Sequence, residues 1–119
     1  MTARLLSLSL LSCWLVLVPL RALPAADVSI ASKTFTESYV LGEIAAQLLE
    51  SEGFSVERQL GLGGTLVAFE ALKAGSIDLY PEYTGTLTQA VLGRPGLDHQ
   101  QLVQALSSLG LEIKVRLGF

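Results

Sequence analysis

The sequence predicts an α/β chain built on a parallel sheet. Two observations carry the prediction. Short apolar stretches alternate with longer stretches of helical periodicity, in the order strand, helix, strand, helix, strand between Val28 and Leu79. The links are only a few residues long, and strands joined through helices run parallel with right-handed crossovers.

The 119-residue chain opens on a segment that is read as outside this fold. Arg4 precedes an almost unbroken apolar run, Leu5–Val18, and small residues follow through Ala26. Basic start, apolar middle and small-residue end are the layout of a secretory signal peptide. Residues 1–26 are assigned to it, with cleavage near Ala25 or Ala26, and 27–119 to the exported part. A membrane anchor would need ~20 apolar residues, more than this run supplies. Cys13, the only cysteine, lies within the run. Leu10-Leu11-Ser12-Cys13 has the form of a lipid-attachment site, but the apolar Trp14–Val18 after it favours a cysteine inside the leader. Once the leader is removed, no thiol remains to form a disulfide.

Val28-Ser29-Ile30 reads as the first strand. Thr34-Phe35-Thr36-Glu37 then has the spacing of a capping box, in which Thr34 and Glu37 exchange hydrogen bonds at a helix start. The helix that follows places Val40, Ile44 and Leu48 on one face, beside Leu41, Ala45 and Leu49, and Gly53 stops it. Phe54–Leu60 alternates as a second strand. Gly61-Leu62-Gly63-Gly64 turns into a second helix through Leu66, Phe69, Leu72 and Ala74, with Thr65 as its N-cap and Gly75 as its stop. Ser76–Leu79 is the third strand, broken by Pro81. Thr86–Leu92 predicts a short helix. Asp98 caps another over Gln100–Ser108, which Gly110 ends. Leu111–Leu117 alternates as a half-exposed strand.

In an open parallel sheet, ligands sit beyond the carboxyl ends of the strands. Three loops share that edge: Ser32–Glu37, Gly61–Thr65 and Tyr80–Thr86. In the last, Asp78-Leu79-Tyr80-Pro81-Glu82-Tyr83-Thr84-Gly85-Thr86 crowds two tyrosines, carboxylates and threonines into a turn. Such a turn serves either as an aromatic cage for a cation or as a polar strand cap. Lys33, beside a helix start, reads as an anion contact or as a solvated loop lysine. The glycines of Gly61–Thr65 lack the Lys-Ser/Thr of a phosphate loop, so a tight turn is favoured. Glu37 reads as a cap rather than a catalytic acid.

Catalysis, metal and nucleic acid are disfavoured. His99 has no second histidine or cysteine to complete a metal site, and no serine has a histidine partner. All eleven acidic residues follow the leader, whereas two of the eight basic ones lie within it. An acidic chain without a basic cluster does not suit nucleic acid. No cofactor is expected.

Four blocks in register point to a family. Ile30-Ala31-Ser32-Lys33-Thr34-Phe35-Thr36-Glu37, Leu60–Thr65, Phe69–Gly75 and Asp78–Thr86 resemble the substrate-binding proteins of osmoprotectant ABC transporters, the glycine betaine, carnitine and choline group. The resemblance implies a lobe of a two-lobed, type II periplasmic-binding-protein fold, periplasmic or extracytoplasmic, that passes a quaternary ammonium compound to membrane permease subunits. It implies Lys33 as a contact to the ligand carboxylate, Tyr83 as a wall of an aromatic box, Thr86 as a polar contact nearby and Tyr80 at or behind the box. Members of the family continue past a Leu-Gly-Phe like Leu117–Phe119 into a second lobe. The expectation is therefore an incomplete lobe that binds poorly alone. A lobe for an amino acid or other anionic solute is the alternative, and a non-functional fragment the third reading.

Overall fold

Strand β1 (Val28–Lys33) lies at the centre of the fold, and its last four residues are buried. In the computed structural model, which describes residues 25–118, it pairs in parallel with β2 (Val56–Gly63). Val28 to Ala31 face Val56 to Gln59 in step, and the register then slips so that Lys33 meets Gly63. The slip falls at Gly61, whose φ of +73° gives the left-handed turn that bulges β2. The Ser32 hydroxyl accepts the Gly61 amide at 2.8 Å and holds the bulge. Lys33 is thereby carried to the carboxyl edge of the sheet.

The expected third strand is reduced to one bridge. Leu79 pairs with Ile30 in parallel, and the Ala31 amide donates to the Leu79 carbonyl at 3.0 Å. Pro81 stands two residues further on and cannot extend a ladder. The strand order β2, β1, Leu79 keeps the expected parallel α/β arrangement.

Helix α1 (Thr36–Ser51) does not start with the expected box: Phe35 is its N-cap, and no side chain caps it. The Thr34 amide instead donates to the Gly63 carbonyl at 3.2 Å, tying the helix start to the sheet. Its buried face also differs from expectation. Ser38, Gly42 and Ala46 are buried, whereas Val40, Ile44 and Leu48 are 52%, 51% and 62% exposed. Small residues let the helix backbone lie close on the strands. A Cβ on Gly42 would stand 3.0 Å from Leu60 Cδ2 and 3.4 Å from the Ala31 carbonyl oxygen. Ile44 and Leu48 line an open apolar groove with Leu72, Leu79 and Leu111–Gly118.

Helix α2 (Thr65–Lys73) begins after Gly64, so Thr65 is its first residue rather than its cap. Beyond the loop, α3 (Thr84–Thr86) runs into a π-helical stretch, Leu87–Val91. Helix α4 (His99–Ser107) carries the predicted Asp98 cap, with Asp98 and Gln101 exchanging hydrogen bonds at 2.8 and 3.0 Å. Phe69, Leu87, Leu102 and Leu106 form a buried cluster, with Leu111 and Ile113 packed on it. Leu111–Leu117 forms no strand: alternation points Leu111 and Ile113 at that cluster, and among the described residues no strand lies beside them to exchange hydrogen bonds. The signal-peptide reading, apart from Ala25 and Ala26, lies outside the described residues. Among those described, no helix is long and apolar enough to cross a membrane.

Candidate ligand-binding site

The three loops meet at the Lys33 ammonium group. Lys33 ends β1, Thr65 opens α2, and Glu82 and Tyr83 lie on the loop before α3. Lys33 Nζ forms an ion pair with Glu82 Oε1 and lies 3.5 Å from Thr65 Oγ1. It also stands 5.1 Å from the centre of the Phe35 ring and 5.3 Å from that of Tyr83. The two rings stack with centroids 6.1 Å apart and planes inclined by 29°. Both distances are within reach of cation–π attraction.

The ion pair is nearly dry. The Lys33 and Glu82 side chains are 4% and 6% exposed. Glu82 Oε1 also accepts the Tyr83 amide at 2.8 Å, which ties the carboxylate to its own loop. Its other oxygen, Oε2, and the Tyr80 and Tyr83 hydroxyls are buried, and the two phenols face carboxylates, Tyr80 that of Glu82 and Tyr83 that of Glu37, without well-formed hydrogen bonds among the described residues. Burial raises the Tyr80 phenol well above its ordinary range, and the nearby Glu82 carboxylate adds to the shift. The Glu37 carboxylate beside Tyr83, with a further contribution from burial, pushes that phenol up to about 12. Both tyrosines therefore stay neutral at physiological pH.

Backbone contacts hold the lysine in place. The Lys33 amide donates to Ser38 Oγ at 2.8 Å, joining the strand end to the first turns of α1. Of the residues singled out in the sequence, Lys33, Tyr80 and Tyr83 come together here. Thr86 is half-buried at the end of α3, outside the hydrogen bonds of Lys33. Sequence reading missed Glu82 as the lysine's partner and Phe35 as the second ring. Phe35 carried a signal, because residues two apart on an extended chain share a face and Phe35 follows Lys33 at that interval.

Chemically, the site offers two ring faces, one ion pair and two phenols beside carboxylates. That suits a small polar solute with a positively charged group. Among the described residues, no group of His, Cys, Asp or Glu is placed to hold a metal ion.

Comparison with known proteins matches residues 26–118 to the OpuAC family, the substrate binding domain of ABC-type glycine betaine transport system. The chain is 40% identical over 87 residues to the ergothioneine transport permease/ergothioneine binding protein EgtU of Helicobacter pylori (strain G27), covering 72% of this chain and 16% of that protein. It is 44% identical over 68 residues to the glycine betaine-binding protein YehZ of Escherichia coli (strain K12), covering 57% of this chain and 22% of the relative. A glycine-betaine-binding protein of Pseudomonas aeruginosa is 44% identical over 62 residues, covering 52% of this chain and 20% of its own length. The chain thus spans between 16% and 22% of these curated relatives. With its family match running nearly end to end over the described fold, the chain belongs to the substrate-binding domains of ABC-type glycine betaine transport systems, a family that binds solutes rather than transforming them.

Proposed function

We propose that the chain contributes the first ligand-facing part of an exported solute-binding lobe, which takes up a quaternary ammonium osmoprotectant of the glycine betaine or choline type for an ABC permease. One observation carries this reading: a cationic group, Lys33 Nζ, lies 5.1 and 5.3 Å from the Phe35 and Tyr83 ring centres. A site that already holds an ammonium against two rings has the chemistry to hold a trimethylammonium group. The relatives' names agree in substrate chemistry, since glycine betaine and ergothioneine are both trimethylammonium carboxylates. Tyr83 is the principal wall, Tyr80 stands behind it, Lys33 meets the carboxylate, and Thr86 is an outer polar contact.

An anionic solute fits less well. An anion that takes Lys33 leaves Glu82 unpaired unless the solute also brings a cation, and the Gly61 amide is taken by Ser32. With part of a cage, an exposed cation–π contact contributes only ~0.5–1 kcal/mol per ring, so a Kd on the order of tens of millimolar or weaker is expected of this chain alone. NMR titration with choline and glycine betaine tests the reading. Saturable shifts at Tyr83 and Phe35, lost in Tyr83→Ala, are expected. Shifts with glutamate or acetate and none with either quaternary amine would overturn it.

A further inference from the structure

The segment after α4 has a strand's pattern without a strand's partner. From Leu111 to Leu117 the backbone runs without a turn or bend, and Gly118, at a φ of +83°, ends it. Leu111 and Ile113 pack on the cluster of Phe69, Leu87, Leu102 and Leu106, while Glu112 and Lys114 are 66% and 72% exposed. Side chains thus alternate between two faces, as they do on a strand. Among the described residues, no amide or carbonyl from Glu112 to Leu117 bonds to another backbone group. A row of unpaired backbone groups is a template for another chain. We infer that this segment pairs antiparallel with the same segment of a second copy, forming a two-fold dimer centred on Ile113.

Symmetry and charge together leave one register. An axis through a residue sets odd positions against odd and even against even, so both apolar faces stay on one side. With the axis at Lys114 or Glu112, that charged residue meets its own copy. With the axis at Val115, Lys114 meets Arg116. All three set like charges directly opposite, which is destabilising. With the axis at Ile113, Glu112 meets Lys114 of the second copy, and Lys114 meets its Glu112. Arg116 then falls opposite Gly110, which has no side chain and turns the chain away at a φ of +75°.

The apolar face fits the same register. Val115, which is 71% exposed, meets Leu111 of the second copy, and Ile113 meets Ile113. Within one copy Glu112 and Lys114 already form an ion pair, but one so open to water that exchanging it for two pairs between copies loses little. The order Glu-x-Lys, read backwards, is Lys-x-Glu, so this sequence is its own complement. That self-complementarity points to a second copy rather than to an unrelated protein.

Sedimentation equilibrium of the full chain tests the proposal by reading the dimer dissociation constant. Wild type shows reversible monomer–dimer exchange. Glu112→Lys and Lys114→Glu each weaken the dimer at least about tenfold by opposing like charges. An equimolar mixture of the two restores it as a heterodimer, and Glu112→Lys/Lys114→Glu returns the constant to within about threefold of wild type. Both side chains are largely exposed, so these changes spare the fold. Leu48→Glu, in the apolar groove, leaves the constant unchanged. A wild-type chain that stays monomeric up to about 1 mM overturns the proposal. So does association that ignores the charge changes, or that Leu48→Glu abolishes.

Discussion

Asp78 takes both donors of Ser29: its carboxylate accepts the Ser29 amide at 2.7 Å and the Ser29 hydroxyl at 2.8 Å. The two residues are 49 apart in sequence, and the Asp78 amide returns to the Ser29 carbonyl at 2.9 Å. A side chain here does what a third strand's ladder would do, pinning the Leu79 segment to β1. The two hydrogen bonds from Ser29 hold the Asp78 carboxyl below its ordinary pKa. A depressed carboxylate stabilises the fold above its unfolded value of ~3.9, and that contribution is lost as pH falls through the lower folded value. Asp78→Asn should cost about 1 kcal/mol at neutral pH, a figure kept small by solvent exposure. It should also flatten the acid limb of a stability-versus-pH curve measured by urea denaturation.

Gly61 lies under the Tyr39 side chain, whose hydroxyl is 1.9 Å from where a Cβ would stand. Gly61→Ala therefore meets two obstacles, a φ of +73° and the phenol. The phenol is the movable end of a side chain 40% exposed, so the backbone strain dominates, at about 1–2 kcal/mol. Adding Tyr39→Leu should recover only the smaller part of the loss. Thermal unfolding of the single and double variants separates the two, and full recovery would place the cost in the clash instead.

Two phenols should resist ionisation. Tyr83 is held up to about 12 by Glu37, and Tyr80 is raised further by burial. A raised folded pKa means that the stabilisation is complete below the unfolded value of ~10 and disappears as pH climbs through the folded one. Absorbance at 295 nm during alkaline titration should show these tyrosines ionising late and together with loss of helical circular dichroism. Glu37→Gln should bring the Tyr83 step to lower pH without moving that of Tyr80.

What was legible in the sequence is the order of elements and the meeting of three loops, because both follow from alternation and from short links. The partners inside the site were less legible. From the sequence Lys33 reads as either an anion contact or a solvated loop lysine, and the bulge at Gly61 carries it instead under the loop that holds Glu82. The Thr34–Glu37 box failed because a backbone contact to Gly63 captured the Thr34 amide, a competitor with no mark in the local sequence. Leu111–Leu117 had the right alternation for a strand, but pairing depends on a neighbouring edge, which periodicity cannot report.

The Lys33–Glu82 pair should be worth more when broken than when replaced. Removing one partner leaves a buried charge alone, so Glu82→Ala should destabilise the chain by about 3 kcal/mol or more. Replacing both with apolar residues of similar size, as Lys33→Met/Glu82→Leu, should cost far less than the sum of the single changes. A double-mutant cycle in urea reads this directly, and additive losses would mean that the pair is solvated in solution.

The division of α1 into a small buried face and a large exposed one gives a prediction opposite to that of simple amphipathicity. Ile44 and Leu48 are 51% and 62% exposed, so Ile44→Glu and Leu48→Glu should each change stability by only about 0.5 kcal/mol. Ala46 is fully buried against the sheet, and Ala46→Leu should cost about 1–3 kcal/mol through overpacking. Ile44, Leu48 and their neighbours form a contiguous apolar groove with Leu72 and Leu79, and surfaces of that kind bind hydrophobic dyes and associate. Anilinonaphthalene sulfonate fluorescence should therefore be high in the folded wild-type chain and fall in the two glutamate variants. Melting that is lowered more by Ile44→Glu than by Ala46→Leu would reverse the assignment of faces, and with it the reason that Gly42 stands where it does.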